Sequence, residues 1–352
     1  MYREIPYIEV HAVDHCNHNC RWCHNYSPFS PQREYAAQEY IPWLDLLWDK
    51  QVPVRLISVM GGEPMLHSDI ENFCAALLER YRTPLLMTTN GFWLSEDAIL
   101  AYGGLWNMLS RIKISHYPTI MRRLGGEKRV EELLNLLRAR HPHLSVESPI
   151  KYAFSRLSFH VEPREVTHPC FNAGCTALLS TGIMGRCGAG AYMHFAPDGL
   201  LTELFRQSRH MLYDLRRYDW TTFWMWFNRF PMDACEHCSF GQSSPLVQWK
   251  VEKGRRPFNT DYEAAFAVKT AIMHLRHGHA AQAQQCLEAA AASGHQAKEV
   301  ANARGLLHYR AGRLHAARDC FRQALDLDPA YLDAARNLSH TMRRDALNPQ
   351  AH

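Results

Sequence analysis

Three cysteines stand within eight residues near the amino terminus, in the run His15-Cys16-Asn17-His18-Asn19-Cys20-Arg21-Trp22-Cys23. Spaced CxxxCxxC on one loop, three thiolates can each bind one iron of a [4Fe–4S] cube and leave the fourth iron without a protein ligand. An open iron is a place for a substrate or cofactor. A zinc loop is the competing reading; against it stands zinc's demand for four protein ligands, usually in CxxC pairs. A second group, Cys170, Cys175, Cys187, Cys235 and Cys238, falls in a stretch where Gly and Pro also gather. Eleven cysteines is an odd number, and the opening MYREIPYIEV lacks the apolar core of a signal peptide. Reduced thiols in a cytoplasmic chain are therefore expected, with the clustered ones as metal ligands in preference to disulfides.

Not every cysteine or histidine carries chemistry. Cys74 lies on a helical stripe with Ile70, Phe73, Leu77 and Leu78, and reads as core packing. His15, His18 and His24 surround the first cysteine loop, where hydrogen bonding from some of them would shape a cluster's potential; none is assigned as a ligand.

The elements that must hold the first loop follow a βα rhythm. Strands are predicted at Ile8 to Val13, Val54 to Met60, Leu85 to Thr89, Arg111 to Ser115, Leu144 to Glu147 and Leu157 to Val161, with helices near 36–50, 68–82, 95–103 and 127–140. Six such units suit a partial (β/α)6 TIM-type barrel, whose active site lies at the C-terminal ends of the strands. The first cysteine loop, Gly61-Gly62-Glu63-Pro64, Thr89-Asn90-Gly91 and Ser115 all fall at those ends.

From about 166 to 245 the texture changes to a small, Cys-rich, metal-stapled region, in which Trp220, Trp224 and Trp226 read as an apolar packing stripe. The tail from about 260 is all helical and repeats. A shift of 34 residues carries Gly278 onto Gly312, Ala283 onto Ala317, Cys286 onto Cys320, Leu287 onto Phe321 and Ala290 onto Ala324. Thirty-four residues is the tetratricopeptide period, with small residues where the two helices of a repeat approach. The expected domains are 1–165, 166–245 and 260–345. A length of 352 residues suits two or three domains, and 47% hydrophobic with 21% charged residues argues against long disorder. The net charge of +4 is too scattered to mark a nucleic-acid surface, and no apolar run reaches membrane-helix length.

On these motifs, residues 5–165 resemble the radical S-adenosylmethionine (SAM) enzymes. That resemblance implies that Cys16, Cys20 and Cys23 hold the open [4Fe–4S] cluster and that Trp22 packs near the adenine of SAM. It further implies that Gly61, Gly62, Glu63 and Pro64 place backbone carbonyls against the methionine amino group, and that Asn90 and Ser115 present polar groups to the methionine and ribose. The second group is similar to the SPASM/Twitch extensions of the same enzymes: Cys170, eleven residues, Gly182, four residues and Cys187, then the pair Cys235 and Cys238. Because Cys238 runs into SFGQSSPLV, the match is to a Twitch-like domain with one auxiliary cluster. Zinc is the competing occupant of those four thiolates. Cys175 does not fit the pattern and is a candidate hydrogen donor to a substrate radical.

The resemblance implies reductive cleavage of SAM to a 5′-deoxyadenosyl radical and removal of a substrate hydrogen atom. A peptide is the preferred substrate because the repeats offer a concave surface, with oxidation by dehydrogenation or cross-linking as the outcome. The alternatives are a dehydrogenase or epimerase of a sugar or aminoglycoside, and a protein-activating maturase docked through the repeats. A reductase is the implied electron donor.

Overall fold

The computed structural model describes residues 2–155, 165–166, 170, 174, 176–196, 211–238, 246–251, 260–292 and 298–346. The expected strand over 157–161 and Cys175 lie outside the described residues. Two units separate, Met1–Leu94 with Gly104–Phe258, and Ser95–Gly103 with Asn259–His352.

In the first unit β1 (Ile8–Val13), β2 (Ile57–Gly61), β3 (Leu85–Thr89), β4 (Arg111–Ile114) and β5 (Ser145–Glu147) are parallel neighbours in the order 5-4-3-2-1. When each strand pairs with the next in sequence, right-handed crossovers put every connecting helix on one face. The alternation obeys this. Val10, Ala12, Ile57, Val59, Leu85, Met87, Ile112 and Ile114 share one face and are fully buried. The helices α1 (Ile41–Asp49), α2 (Ile70–Tyr81) and α6 (Glu127–Arg140) supply matching apolar stripes, including Leu44, Leu47, Phe73, Leu77, Leu133 and Leu137. Cys74 is among the buried residues of α2, as its stripe predicts. On the opposite face stand Glu9, His11, Ser58, Met60, Leu86, Thr88, Arg111, Lys113 and Glu147, a mostly polar set that is buried at β1 and exposed toward β5.

The sheet does not stop at β1. β7 (Thr176–Leu178) adds in parallel beside β1, and β8 (Ile183–Gly185) and β9 (Leu212–Asp214) follow antiparallel, making eight strands. β6 (Ala153–Ser155) and β10 (Leu246–Gln248) form a separate antiparallel pair. After β9, the helix α8 (Trp220–Asn228), capped by Asp219, buries Phe223, Trp226 and Phe227 and leaves Trp220 and Met225 exposed, so only part of the predicted tryptophan stripe faces inward.

The second unit holds α3 (Glu96–Ala101) with five longer helices, α9 (Thr260–Arg276), α10 (Ala280–Ala292), α11 (Lys298–Arg310), α12 (Leu314–Leu327) and α13 (Leu332–Ala346). The 34-residue register is physical. Gly278 and Gly312 both end a helix with positive φ, +81° and +73°, and Ala283 and Ala317, then Leu287 and Phe321, are fully buried at equivalent sites. Among the described residues, no helix is long and apolar enough to cross a membrane.

Within the repeat, Gly305 of α11 lies under the Phe321 ring of α12; a Cβ there would meet the ring at 2.4 Å, and the ring is fully buried with nowhere to move. Gly305→Ala should therefore cost about 1–3 kcal/mol by overpacking, whereas an added methyl is ordinarily neutral or helpful within a helix. Urea unfolding monitored by the helical signal measures it, and an unchanged or raised midpoint would contradict this packing.

Candidate metal centre

The cysteine loop leaves the C-terminal end of β1 and is pinned by the end of β2. Gly62 N–H donates to Val13 O at 2.8 Å and Glu63 N–H to His15 O at 3.0 Å. A Cβ on Gly61 would sit 1.9 Å from Val13 O, and one on Gly62 1.9 Å from His15 O. The close approach that the two glycines permit is thus to the backbone that opens the cysteine loop. Asn25, beyond the loop, closes the same contact by donating its Nδ2 to Gly61 O at 2.8 Å.

Glu63 then ties β2 to β3. Its carboxylate, fully buried, accepts from Thr89 Oγ1 at 2.6 Å, Asn90 N at 2.7 Å and Met65 N at 3.1 Å. Burial pushes this carboxyl up to about 7 while the three donors pull it down. Asn90, oriented by that bond, extends Nδ2 to Asn17 Oδ1 at 2.8 Å and toward Cys16 Sγ at 3.6 Å. One end of the Asn17 amide is held this way, while its buried Nδ2 has no hydrogen-bond partner among the described residues. Ser115 is buried at the end of β4, its N–H on Thr89 O at 2.8 Å. The structure so brings Cys16, Gly61, Gly62, Glu63, Pro64, Asn90 and Ser115 to neighbouring strand ends.

Cys16, Cys20 and Cys23 interact electrostatically with one another. Burial raises the Cys16 and Cys20 thiols, and each also feels the negative charge of its neighbours. Such thiols deprotonate only when a cation replaces the proton, so binding and proton release are coupled. Donors to sulfur are already in place: His18 N–H reaches Cys16 Sγ at 3.3 Å and Trp249 Nε1–H reaches Cys20 Sγ at 3.3 Å. Three converging thiols, two N–H groups aimed at sulfur and an orphaned buried amide fit an iron–sulfur cluster. Among the described residues, no three His, Cys, Asp or Glu side chains are gathered tightly enough for a single ion.

Cys170, Cys187 and Cys238 pack together, with Trp22, against a core of Tyr26, Ala177, Ala189, Ala191, Tyr192 and Met193. Cys235 joins them electrostatically, since Cys187 interacts with Cys238, Cys235 and Cys170. Cys187 caps α7 (Gly188–Ala191), its sulfur accepting from Gly190 N at 3.3 Å. Trp22, with φ +62°, carries the Arg21 guanidinium 4.7 Å from its ring centre and turns its other contacts toward this second thiol group. Tyr26, buried, lies within electrostatic reach of Cys23 on one side and of Cys187 and Cys238 on the other.

Two side chains at this centre escaped the sequence reading. Trp249 sits eleven residues past Cys238, where no spacing rule marks it, and Asn17 is one of two asparagines in the loop with nothing in the pattern to single it out. Their roles are set by tertiary contact alone.

Residues 12–141 match the family described as Radical SAM superfamily, and residues 298–331 match Tetratricopeptide repeat. Over 101 residues, 27% of this chain and 30% of that protein, the chain is 31% identical to the GTP 3′,8-cyclase of Campylobacter fetus subsp. fetus. To the GTP 3′,8-cyclase of Nautilia profundicola it is 35% identical over 101 residues, 27% of this chain and 31% of the relative. The chain spans about three tenths of the length of the curated relatives it matches. Among solved structures, BtrN in complex with AdoMet and 2-DOIA aligns over 70% of this chain and 100% of that chain at 15% identity and a TM-score of 0.45. On the strength of the family match and of the cysteine loop, strand ends and helical register that coincide with it, residues 12–141 are a radical SAM domain and residues 298–331 a tetratricopeptide repeat.

Proposed function

We propose that this protein is a radical SAM enzyme whose open cluster is held by Cys16, Cys20 and Cys23. The observation that carries this reading is the convergence of three thiols, Cys20 buried and Cys16 and Cys23 half-buried, on a loop locked to the ends of β2 and β3. When bound, such a cluster with SAM supplies one electron to the sulfonium and yields a 5′-deoxyadenosyl radical that takes a hydrogen atom from the substrate. The chain's own part is to hold and orient. Glu63 fixes the Asn90 backbone, Asn90 and Asn17 present amide groups beside Cys16, and Ser115 stands at the next strand end. Gly61 and Gly62 leave room for the loop backbone, and with Glu63 and the following Pro64 they are assigned to the methionine end of SAM.

Cys170, Cys187, Cys235 and Cys238 are assigned to a second, Twitch-like [4Fe–4S] cluster. With four protein ligands it has no open iron, which suits it to carry electrons away from a substrate radical and makes the net outcome an oxidation. In this reading 1–165 is the catalytic barrel, 166–245 the auxiliary region and 260–345 a repeat segment that recruits a partner or a peptide, with a reductase as electron source. Cys175 keeps its assignment as a hydrogen donor, which would turn the outcome to epimerisation. A peptide remains the preferred substrate. The reading of a small polar substrate is favoured by one observation, the open sheet face that carries Thr88, Arg111, Lys113 and Glu147.

Three outcomes follow. Replacing Cys16, Cys20 or Cys23 with Ala should abolish 5′-deoxyadenosine formation under dithionite in chromatographic assays, and a variant retaining wild-type turnover would sink the ligand assignment. Anaerobic reconstitution should load about eight irons per chain; about four irons with one zinc would remove the second cluster. Glu63→Ala leaves the Thr89, Asn90 and Met65 donors buried without an acceptor and should cost about 2–4 kcal/mol in chemical denaturation, with Glu63→Gln costing less because one carbonyl remains.

A further inference from the structure

Trp249 belongs to neither cysteine motif, yet its indole N–H points at the sulfur of Cys20 from 3.3 Å. An indole is a donor only, so the direction of this bond is unambiguous. The ring is 8% exposed and packs against both His18, at 5.2 Å and 21°, and Tyr117, at 5.5 Å and 30°, which also touch each other at 5.2 Å. Its backbone is held as firmly. Trp249 N–H donates to Tyr152 O at 2.9 Å, Lys250 O accepts from Arg21 N at 2.9 Å, and Val251 bridges Cys20 in antiparallel register. Upstream, β10 pairs with β6. Residues 246–251 are therefore a strap laid across the cysteine loop, with Trp249 at the point where it meets a sulfur.

Resting on the cluster assignment made above, we propose that Trp249 is a positioning residue that sets the reduction potential of the first cluster through its N–H···S bond to Cys20. Reduction adds an electron whose charge spreads over the thiolate sulfurs. A fixed N–H dipole aimed at one of them stabilises the reduced form more than the oxidised form and raises the potential. Burial strengthens the effect, because no water competes for the sulfur. His18, stacked on Trp249, also reaches this sulfur, Nδ1 3.6 Å from Cys20 Sγ, and its Nε2 is engaged with Thr119 Oγ1 at 2.8 Å. Trp249 is the contact whose polarity does not depend on a tautomer.

The test is an EPR-monitored redox titration of the full chain reconstituted anaerobically with iron and sulfide, the first cluster being recognised as the signal that changes when SAM is added. Trp249→Phe should bind wild-type iron and titrate at a lower potential. A variant with full iron and an unchanged potential would overturn the proposal. Should Trp249→Phe load poorly, benzothienylalanine placed at 249 keeps the bicyclic ring and removes only the N–H; it must give the same downward shift, and wild-type behaviour there would equally overturn it. Absence of any cluster signal from the wild-type chain would instead bring down the parent reading, a result seen before any variant is compared.

Discussion

The backbone of the cysteine loop and the backbone at the end of β2 pass each other so closely that no side chain fits between them. A Cβ on either Gly61 or Gly62 would lie 1.9 Å from a carbonyl oxygen, Val13 O or His15 O, far inside van der Waals contact. This contact is made by main-chain hydrogen bonds, which fix both position and direction of the loop within a fraction of an ångström. A metal centre needs that rigidity, since a loop free to drift would bring three thiols together only at a large entropic cost. Gly61 adds a second demand, a φ of +135° that few other residues tolerate. The turn is therefore glycine for a reason of packing before any ligand arrives, and the residue after it, Glu63, uses the same rigidity to orient Asn90.

Burial of the thiols pulls in the opposite direction from ligation. Cys16, Cys20 and Cys187 are all raised by desolvation, so the metal-free protein carries neutral thiols where the loaded protein must carry thiolates. The chain offsets part of this with oriented N–H groups: His18 on Cys16, Trp249 on Cys20 and Gly190 on Cys187. What remains would have to come from the charge of a bound cluster. Buried Tyr26 lies near thiols of both groups, Cys23 of the first and Cys187 and Cys238 of the second.

Legibility followed locality. β1 and β3 match their sequence bounds to the residue because apolar positions recur along each and a turn closes it, and α6 likewise from its 3.6-residue stripe. β2 came out shorter than expected, starting at Ile57, with Val54 reduced to a single bridge to Ile5. β7, β8 and β9 are not legible as strands: each is three residues long, too short for alternation to show, and each is defined by its pairing, β7 on β1, β8 on β7 and β9 on β8. The proposed cysteine ligands can be picked out in the sequence because their spacing itself suggests the chemistry. Trp249 was not, since its partner lies 229 positions away and neither its neighbours nor its spacing encode the encounter.

The polar face of the sheet follows from how the strands are wound. A sheet covered by helices on both sides would need apolar residues on both, which in parallel strands read as continuous hydrophobic runs. Here only one face is apolar, and the other changes character from edge to edge. At β1 it is sealed, with His11 buried between Glu9 and Asp14 under the stacked ring of Tyr192, 3.7 Å away. At β4 and β5 it opens, with Lys113 half-buried and Arg111 and Glu147 exposed at 3.6 Å from each other. An ion pair that exposed adds little to stability. Charges on this face at β4 and β5, where Val or Ile would pack a closed barrel better, therefore stay in solvent's reach and are not part of what holds the sheet together.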